Sequence, residues 1–146
     1  MWRFVFLLLL LASFGVHGAR WWVDTFTLYT FGGGTDSGIF ITLFGINGKS
    51  GEIELDNLDN NFEAGHKDMF FIETPDIGTL CRVRIRSDGR HPAHPWNLQK
   101  IDIYPEGSTD PFTFTCHCWL QEGHLEETIN NINLPPSMAN QGGCSP

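Results

Sequence analysis

From Asp24 to Leu120 the chain alternates apolar and polar residues with a period of two, in short runs of β-formers separated by Gly, Asn, Asp and Pro clusters. Successive side chains of a strand point to opposite faces, so each run has a dry face that a second layer must cover. The pattern predicts an all-β chain. Strands are expected at 25–29, 39–44, 52–55, 68–73, 81–86, 98–104 and 112–120, with turns at Gly45-Ile46-Asn47-Gly48, Thr74-Pro75-Asp76, Ser87-Asp88-Gly89 and Pro105-Glu106-Gly107. Seven or eight short strands at this spacing make a sandwich of two antiparallel sheets. The residues expected to point inward are Phe26, Leu28, Ile39, Ile41, Leu43, Phe70, Ile72, Leu80, Val83, Ile85, Ile101, Ile103, Phe112, Phe114 and Trp119. Residues 121–146 lose the alternation and read as a short helical or irregular tail.

Twelve Phe and 5 Trp within 41% hydrophobic residues supply a core and exclude disorder as the main state. Seventeen acidic residues against 9 basic ones give a net charge of −8, without the positive field that carries most nucleic-acid affinity. No nucleic acid is expected as a partner.

Residues 1–18 read as a secretory signal peptide: Arg3, then an uncharged run through Leu11, then Val16 and Gly18 as the small residues before the cut. The apolar run is shorter than the roughly 20 residues of a spanning helix. The domain plan is therefore a signal peptide over 1–18, a sandwich over 19–120 and a tail over 121–146, in a secreted, extracellular protein. An oxidising compartment permits disulfides among Cys81, Cys116, Cys118 and Cys144. Cys116 and Cys118 are read as facing opposite sides of the sheet and hence as not bonded to each other. Cys118 is expected to pin the tail through Cys144, with Cys81 and Cys116 either bridged or left as buried thiols. There is no Asn-x-Ser/Thr sequon.

Three clusters of hard oxygen ligands fall between strands: 32–36, the run Asp56-Asn57-Leu58-Asp59-Asn60-Asn61, and Ser87-Asp88-Gly89. Calcium takes six to eight oxygens, which neighbouring loops at one end of a sandwich can supply. Asp, Asn and Gly are also what turns are ordinarily made of, so spacing alone leaves both readings open.

Gly34-Thr35-Asp36 followed by Ile39-Phe40-Ile41-Thr42-Leu43-Phe44-Gly45 resembles the opening of a PLAT domain, the lipoxygenase homology domain. So do Leu55-Asp56-Asn57, Asn61-Phe62-Glu63-Ala64-Gly65, Asp68-Met69-Phe70, Asp76-Ile77-Gly78-Thr79-Leu80, Val83-Arg84-Ile85, Trp96-Asn97-Leu98 and the segment 114–120, in the family's order. The resemblance implies a sandwich of two four-stranded antiparallel sheets. It also implies a non-enzymatic targeting module that directs its host to a membrane or a protein partner, in several members with calcium. As a free-standing secreted member, this chain is expected to bind either a phospholipid membrane surface through calcium-loaded loops or an extracellular protein, the calcium loops then being vestigial or structural.

Carried over by position, the resemblance places calcium ligands at Gly34, Asp36, Asp56, Asn57, Asp59, Asn61 and Asp88. Gly32 stands where some members carry an acid, so affinity is expected to be modest, roughly 10⁻⁴ to 10⁻³ M. It implies membrane contacts at Phe31 and Ile46, and a packed interior position for Trp96. Other chemistry finds less support. His91, His94 and His117 with Cys116 and Cys118 lack zinc-site spacing, Gly-x-Ser-x-Gly is absent, and no acid, base and nucleophile take named roles.

Overall fold

A computed structural model describes residues 18–145, so the segment read as a signal peptide lies outside the described residues but for Gly18. The chain runs β1 (Ala19–Thr27), β2 (Ile39–Gly45), β3 (Gly48–Lys49), β4 (Ile53–Glu54), β5 (Lys67–Thr74), β6 (Leu80–Ser87), β7 (Trp96–Pro105), β8 (Phe112–Leu120) and β9 (Glu126–Asn130). Two 3-10 turns, Pro136–Met138 and Gly142–Cys144, follow. One sheet has the order β5-β1-β7-β8; the other runs β3-β2-β6-β9, with β4 also pairing β2. All pairings are antiparallel. This is the expected sandwich, with four and five strands rather than four and four.

The extra strand comes from the segment read as tail. In β9, Ile129 sits opposite Val83 and is buried, while its neighbours face water. One apolar residue in five is too weak a period-two signal to read, yet it closes the sheet edge beside β6.

Between the sheets lie Ile39, Ile41, Leu43, Val83, Ile85, Trp96, Leu98, Ile101, Ile103 and Phe114, all fully buried. Trp96 is among them, and its indole Nε1 donates to Thr27 Oγ1 at 2.8 Å. Three expected inward residues differ: Phe26, Leu28 and Trp119, of which Leu28 lies past the end of β1, partly exposed and outside the core. β1 buries its odd positions, Trp21, Val23, Thr25 and Thr27, so Phe26 faces outward beneath Lys100, whose Nζ is 4.5 Å from the ring centroid. Two threonines on the buried face invert the apparent phase of this strand. Trp119 is 36% exposed: it lies one residue out of phase with Phe114 and Leu120, which point in.

The disulfides are Cys81–Cys144 and Cys116–Cys118, which overturns both expectations about them. Residues two apart on a strand share a face rather than opposing each other, so Cys116 and Cys118 both point toward the core side with Phe114 and Leu120. The backbone then brings them together. His117 between them has φ 49°, and the Cα atoms stand 5.1 Å apart, against roughly 6.6 Å for two residues of extended strand. Cys144 meets Cys81 because β6 starts at the end of the sandwich where the tail lies. Cys118, opposite Leu98, sits toward the other end.

Candidate functional site

The antiparallel register sorts the connections into two poles. Phe26 pairs with Lys67, Ile39 with Ser87, Trp96 with Leu120 and Arg86 with Glu126. Loops 28–38, 55–66, 88–95 and 121–125 therefore share one end, and all three oxygen-rich clusters lie there. The far end holds the turn at Ile46, segments 75–79 and 106–111, and the tail.

The loop end is built on core anchors. Phe62 stacks on Phe70 and meets Trp96 edge-on, with ring centroids 5.5 and 5.0 Å apart. Its φ of 65° is left-handed; Asp68 Oδ2 accepts its N–H at 2.8 Å, and its own carbonyl accepts the Thr35 N–H at 3.0 Å. One residue thus ties loop 55–66 to loop 28–38. Thr35 Oγ1 donates to the His94 carbonyl at 2.6 Å, and Ser37 Oγ accepts the His91 N–H at 3.0 Å, which joins the third loop. Burial is the largest influence on the Asp68 carboxyl and raises it above the ordinary carboxylate value, against the opposing Phe62 N–H.

Within this frame Asp36, Asp56, Asp59 and Asn61 line one open cavity of about 210 Å³, with Arg90 at its edge. Asp36, Asp56 and Asp59 are exposed, whereas the Asn61 Oδ1 is buried with no hydrogen-bond partner. A buried amide oxygen left without a donor costs free energy unless something electropositive meets it. That orphan acceptor, together with an all-oxygen donor set, fits calcium. The carboxylates face one cavity without closing on a point: among the described residues, no three His, Cys, Asp or Glu side chains gather at metal-binding range.

The other expected ligands have local duties. Asn57 accepts the Asp59 N–H at 2.8 Å and donates to the Met69 carbonyl at 2.9 Å. Asp88 Oδ1 accepts the N–H groups of Gly38 and Arg90 at 3.1 and 2.9 Å, and Oδ2 pairs with the Arg90 guanidinium at 3.0 Å. Burial acts to raise the Asp88 carboxyl, but those N–H groups and Arg90 outweigh it and hold the carboxyl below its ordinary value. Gly34 lies against the backbone of 62–64, where a Cβ would come within 2.8 Å of the Phe62 carbonyl oxygen. His91 and His94 sit in the third loop with ring centroids 6.5 Å apart, while His117 is on β8 between the two bonded sulfurs.

At the same pole Phe31, Leu58 and Tyr29 are 106, 105 and 90% exposed. Phe31 is where a membrane contact is expected. Ile46 is not: it occupies the opposite end, partly buried against Gly78, because the turn after β2 returns at the far pole. Leu58 and Tyr29 are the other large apolar or aromatic side chains exposed at the loop pole among the described residues. Leu58 was readable as a lone apolar residue within a polar run, with no alternating partner to pack it.

A family model described as PLAT/LH2 domain matches residues 23–132. Lipoxygenase homology domain-containing protein 1 of Mus musculus is 35% identical over 111 residues, covering 71% of this chain and 5% of that protein. Among solved structures, coral 8R-lipoxygenase, described as activated by calcium via a C2-like domain, superposes with a TM-score of 0.71 at 23% identity, over 84% of this chain and 19% of the enzyme. A calcium-dependent 11R-lipoxygenase gives a TM-score of 0.62 at 22% identity, over 77% of this chain and 17% of the other. The chain thus spans a small part of the relatives it matches.

Proposed function

The chain belongs to the PLAT/LH2 domain family, and on that premise we propose that it is a secreted, non-enzymatic module that binds anionic phospholipid surfaces through its loop pole with calcium. The observation that carries this reading is that Asp36, Asp56, Asp59 and Asn61 line one open cavity, with the Asn61 Oδ1 left without a hydrogen-bond partner, at the pole where Phe31, Leu58 and Tyr29 are exposed.

Asp36, Asp56, Asp59 and Asn61 would hold the ion, and Asp56 keeps one carboxylate oxygen free while the other accepts the Asn57 N–H at 2.9 Å. Bound there, calcium supplies positive charge that cancels the acidic pole and coordinates lipid phosphate oxygens. Without that charge the three carboxylates repel an anionic headgroup layer within a Debye length. Phe31, Leu58 and Tyr29, exposed at the same pole, add apolar area that suits the headgroup boundary. Asp88 and Asn57 shape the loops and leave the ion to the other four.

The test is co-sedimentation with vesicles of mixed phosphatidylserine and phosphatidylcholine. Binding in millimolar calcium, its loss in chelator, and its weakening in Phe31→Ser/Leu58→Ser are expected. Equal binding with and without calcium contradicts the reading. A second reading, an extracellular protein-binding module, draws on Trp22 and Phe71, which pack with centroids 4.9 Å apart on the outer face of the four-stranded sheet, both more than 40% exposed and close to Met69. Failure to bind vesicles under either condition favours it.

A further inference from the structure

Cys116 and Cys118 form a disulfide whose place in the fold is unlike that of Cys81–Cys144. It closes over a single residue, so it restrains almost no chain in the unfolded state. It lies in β8, the outer strand of its sheet. Leu98 pairs with Cys118 and Lys100 with Thr115, so two steps along β7 are matched by three along β8, and the extra residue is a bulge at the disulfide. Within the bulge His117 is exposed and held at φ 49°, a left-handed conformation unfavourable for a residue with a Cβ. Both sulfurs belong to partly exposed residues, whereas Cys81 and Cys144 are 5 and 1% exposed. Breaking the Cys116–Cys118 bond frees His117 to leave the left-handed region for the right-handed conformation of an ordinary bulge, which keeps the pairing with β7 and the core in place. A disulfide on an edge strand, in partly exposed residues and with an opening that relaxes the chain, belongs to the readily reduced class.

We propose that Cys116–Cys118 is a thiol–disulfide exchange site whose substrates are thiols, with Cys81–Cys144 as the inert structural bond. A substrate thiolate attacks one of the two sulfurs, a new S–S bond forms, the Cys116–Cys118 bond breaks, and its electron pair leaves on the other cysteine, which takes a proton from water. A second substrate thiolate then attacks the mixed disulfide at the substrate sulfur. The substrate departs as its own disulfide, oxidised by two electrons, and the second cysteine sulfur leaves as a thiolate and is protonated. The protein is left with two thiols. The site needs no core rearrangement to do this, because Phe114 and Leu120 on either side remain packed.

The test equilibrates the oxidised full chain in glutathione buffers of graded ratio, then quenches, alkylates and locates labelled cysteines by mass spectrometry. A parallel arm uses a two-cysteine peptide. Cys116 and Cys118 are expected to be labelled at ratios that leave Cys81–Cys144 closed. His117→Gly, which accepts the left-handed φ freely, is expected to resist reduction more than the parent by on the order of tenfold in the equilibrium constant. The Cys116→Ser/Cys118→Ser double variant should abolish the exchange while unfolding as cooperatively as the parent. With samples also quenched at intervals before equilibrium, a faster glutathione arm identifies small thiols as the substrate and a faster peptide arm identifies protein thiols. Labelling of Cys81 and Cys144 at the same ratio or earlier overturns the proposal, as does a His117→Gly chain that reduces no less readily than the parent.

Discussion

The two ends of the sandwich handle backbone and side chains in opposite ways. At the tail end the chain is closed on itself. Cys144 is bonded to Cys81, and the Arg82 guanidinium donates to the carbonyls of Cys144, Gly143 and Ser145 at 3.0, 3.3 and 3.0 Å. Gly143 lies so close to the Gly48 carbonyl that any Cβ there would overlap it. At the loop end the backbone is as firmly tied, through Phe62, Thr35 and Ser37, but Asp36, Asp59, Phe31, Leu58 and Tyr29 are left exposed. An end that needs only stability satisfies its groups internally. The loop end, with its backbone tied, leaves the Asn61 Oδ1 without a partner and Asp36 and Phe31 exposed.

The largest effect should come from opening the closed end. Cys81→Ser/Cys144→Ser removes a bridge across a sequence separation of 63, which predicts a loss of about 4 kcal/mol in urea unfolding. Calcium response should be unchanged if the two ends are independent. Next is the anchor of the open end. Asp68→Ala strips the acceptor from a buried Phe62 N–H in a left-handed residue and should cost about 1–3 kcal/mol, loosening loop 55–66 and weakening calcium binding together. Its partner experiment, Asp36→Asn with Asp59→Asn, should abolish calcium and vesicle binding while moving stability by less than about 0.5 kcal/mol, since both side chains are exposed. If Asp36→Asn unfolds the domain instead, the comparison between the ends breaks.

A smaller effect tests the flank between them. Asp24 lies opposite Asp102 on the outer sheet face, and its Oδ1 has no hydrogen-bond partner. Burial raises its carboxyl above the ordinary value, Lys67 opposes this and Asp102 adds to it. A raised acid binds its proton more tightly folded than unfolded. Its ionisation therefore costs stability above the folded value, and the cost is relieved as pH falls through it. Asp24→Asn should be more stable than the parent at pH 7, with the gap closing as the pH falls through the carboxylate range in thermal melts. Smallest is Trp119→Ala: with the side chain on the outer face, the loss should be about 1 kcal/mol or less, well short of the several expected of a core tryptophan.

The sandwich was legible because alternation is written directly into strands such as Cys81-Arg82-Val83-Arg84-Ile85-Arg86, where burial follows hydrophobicity residue by residue. It misled where burial and hydrophobicity part company. Thr25 and Thr27 are buried in β1 while Phe26 is not, and β9 carries a single inward Ile129. The disulfides were illegible for two different reasons. Cys81 and Cys144 are joined by a tail path that no local pattern encodes. Cys116 and Cys118 required the strand rule that alternate residues share a face, plus a bulge that sequence does not mark. At the loop pole the composition named the acids, but only the fold shows that Asn57 and the Asp88 Oδ1 are engaged by nearby backbone and that Ile46 lies at the opposite end.

The most direct test is a calcium titration followed by backbone amide NMR. The account predicts saturable shifts confined to residues 35–38, 55–62 and the Arg90 loop, with a dissociation constant of roughly 10⁻⁴ to 10⁻³ M, lost in Asp36→Asn/Asp59→Asn. Shifts absent at calcium concentrations well above that range, or scattered over the tail end as well, would contradict it.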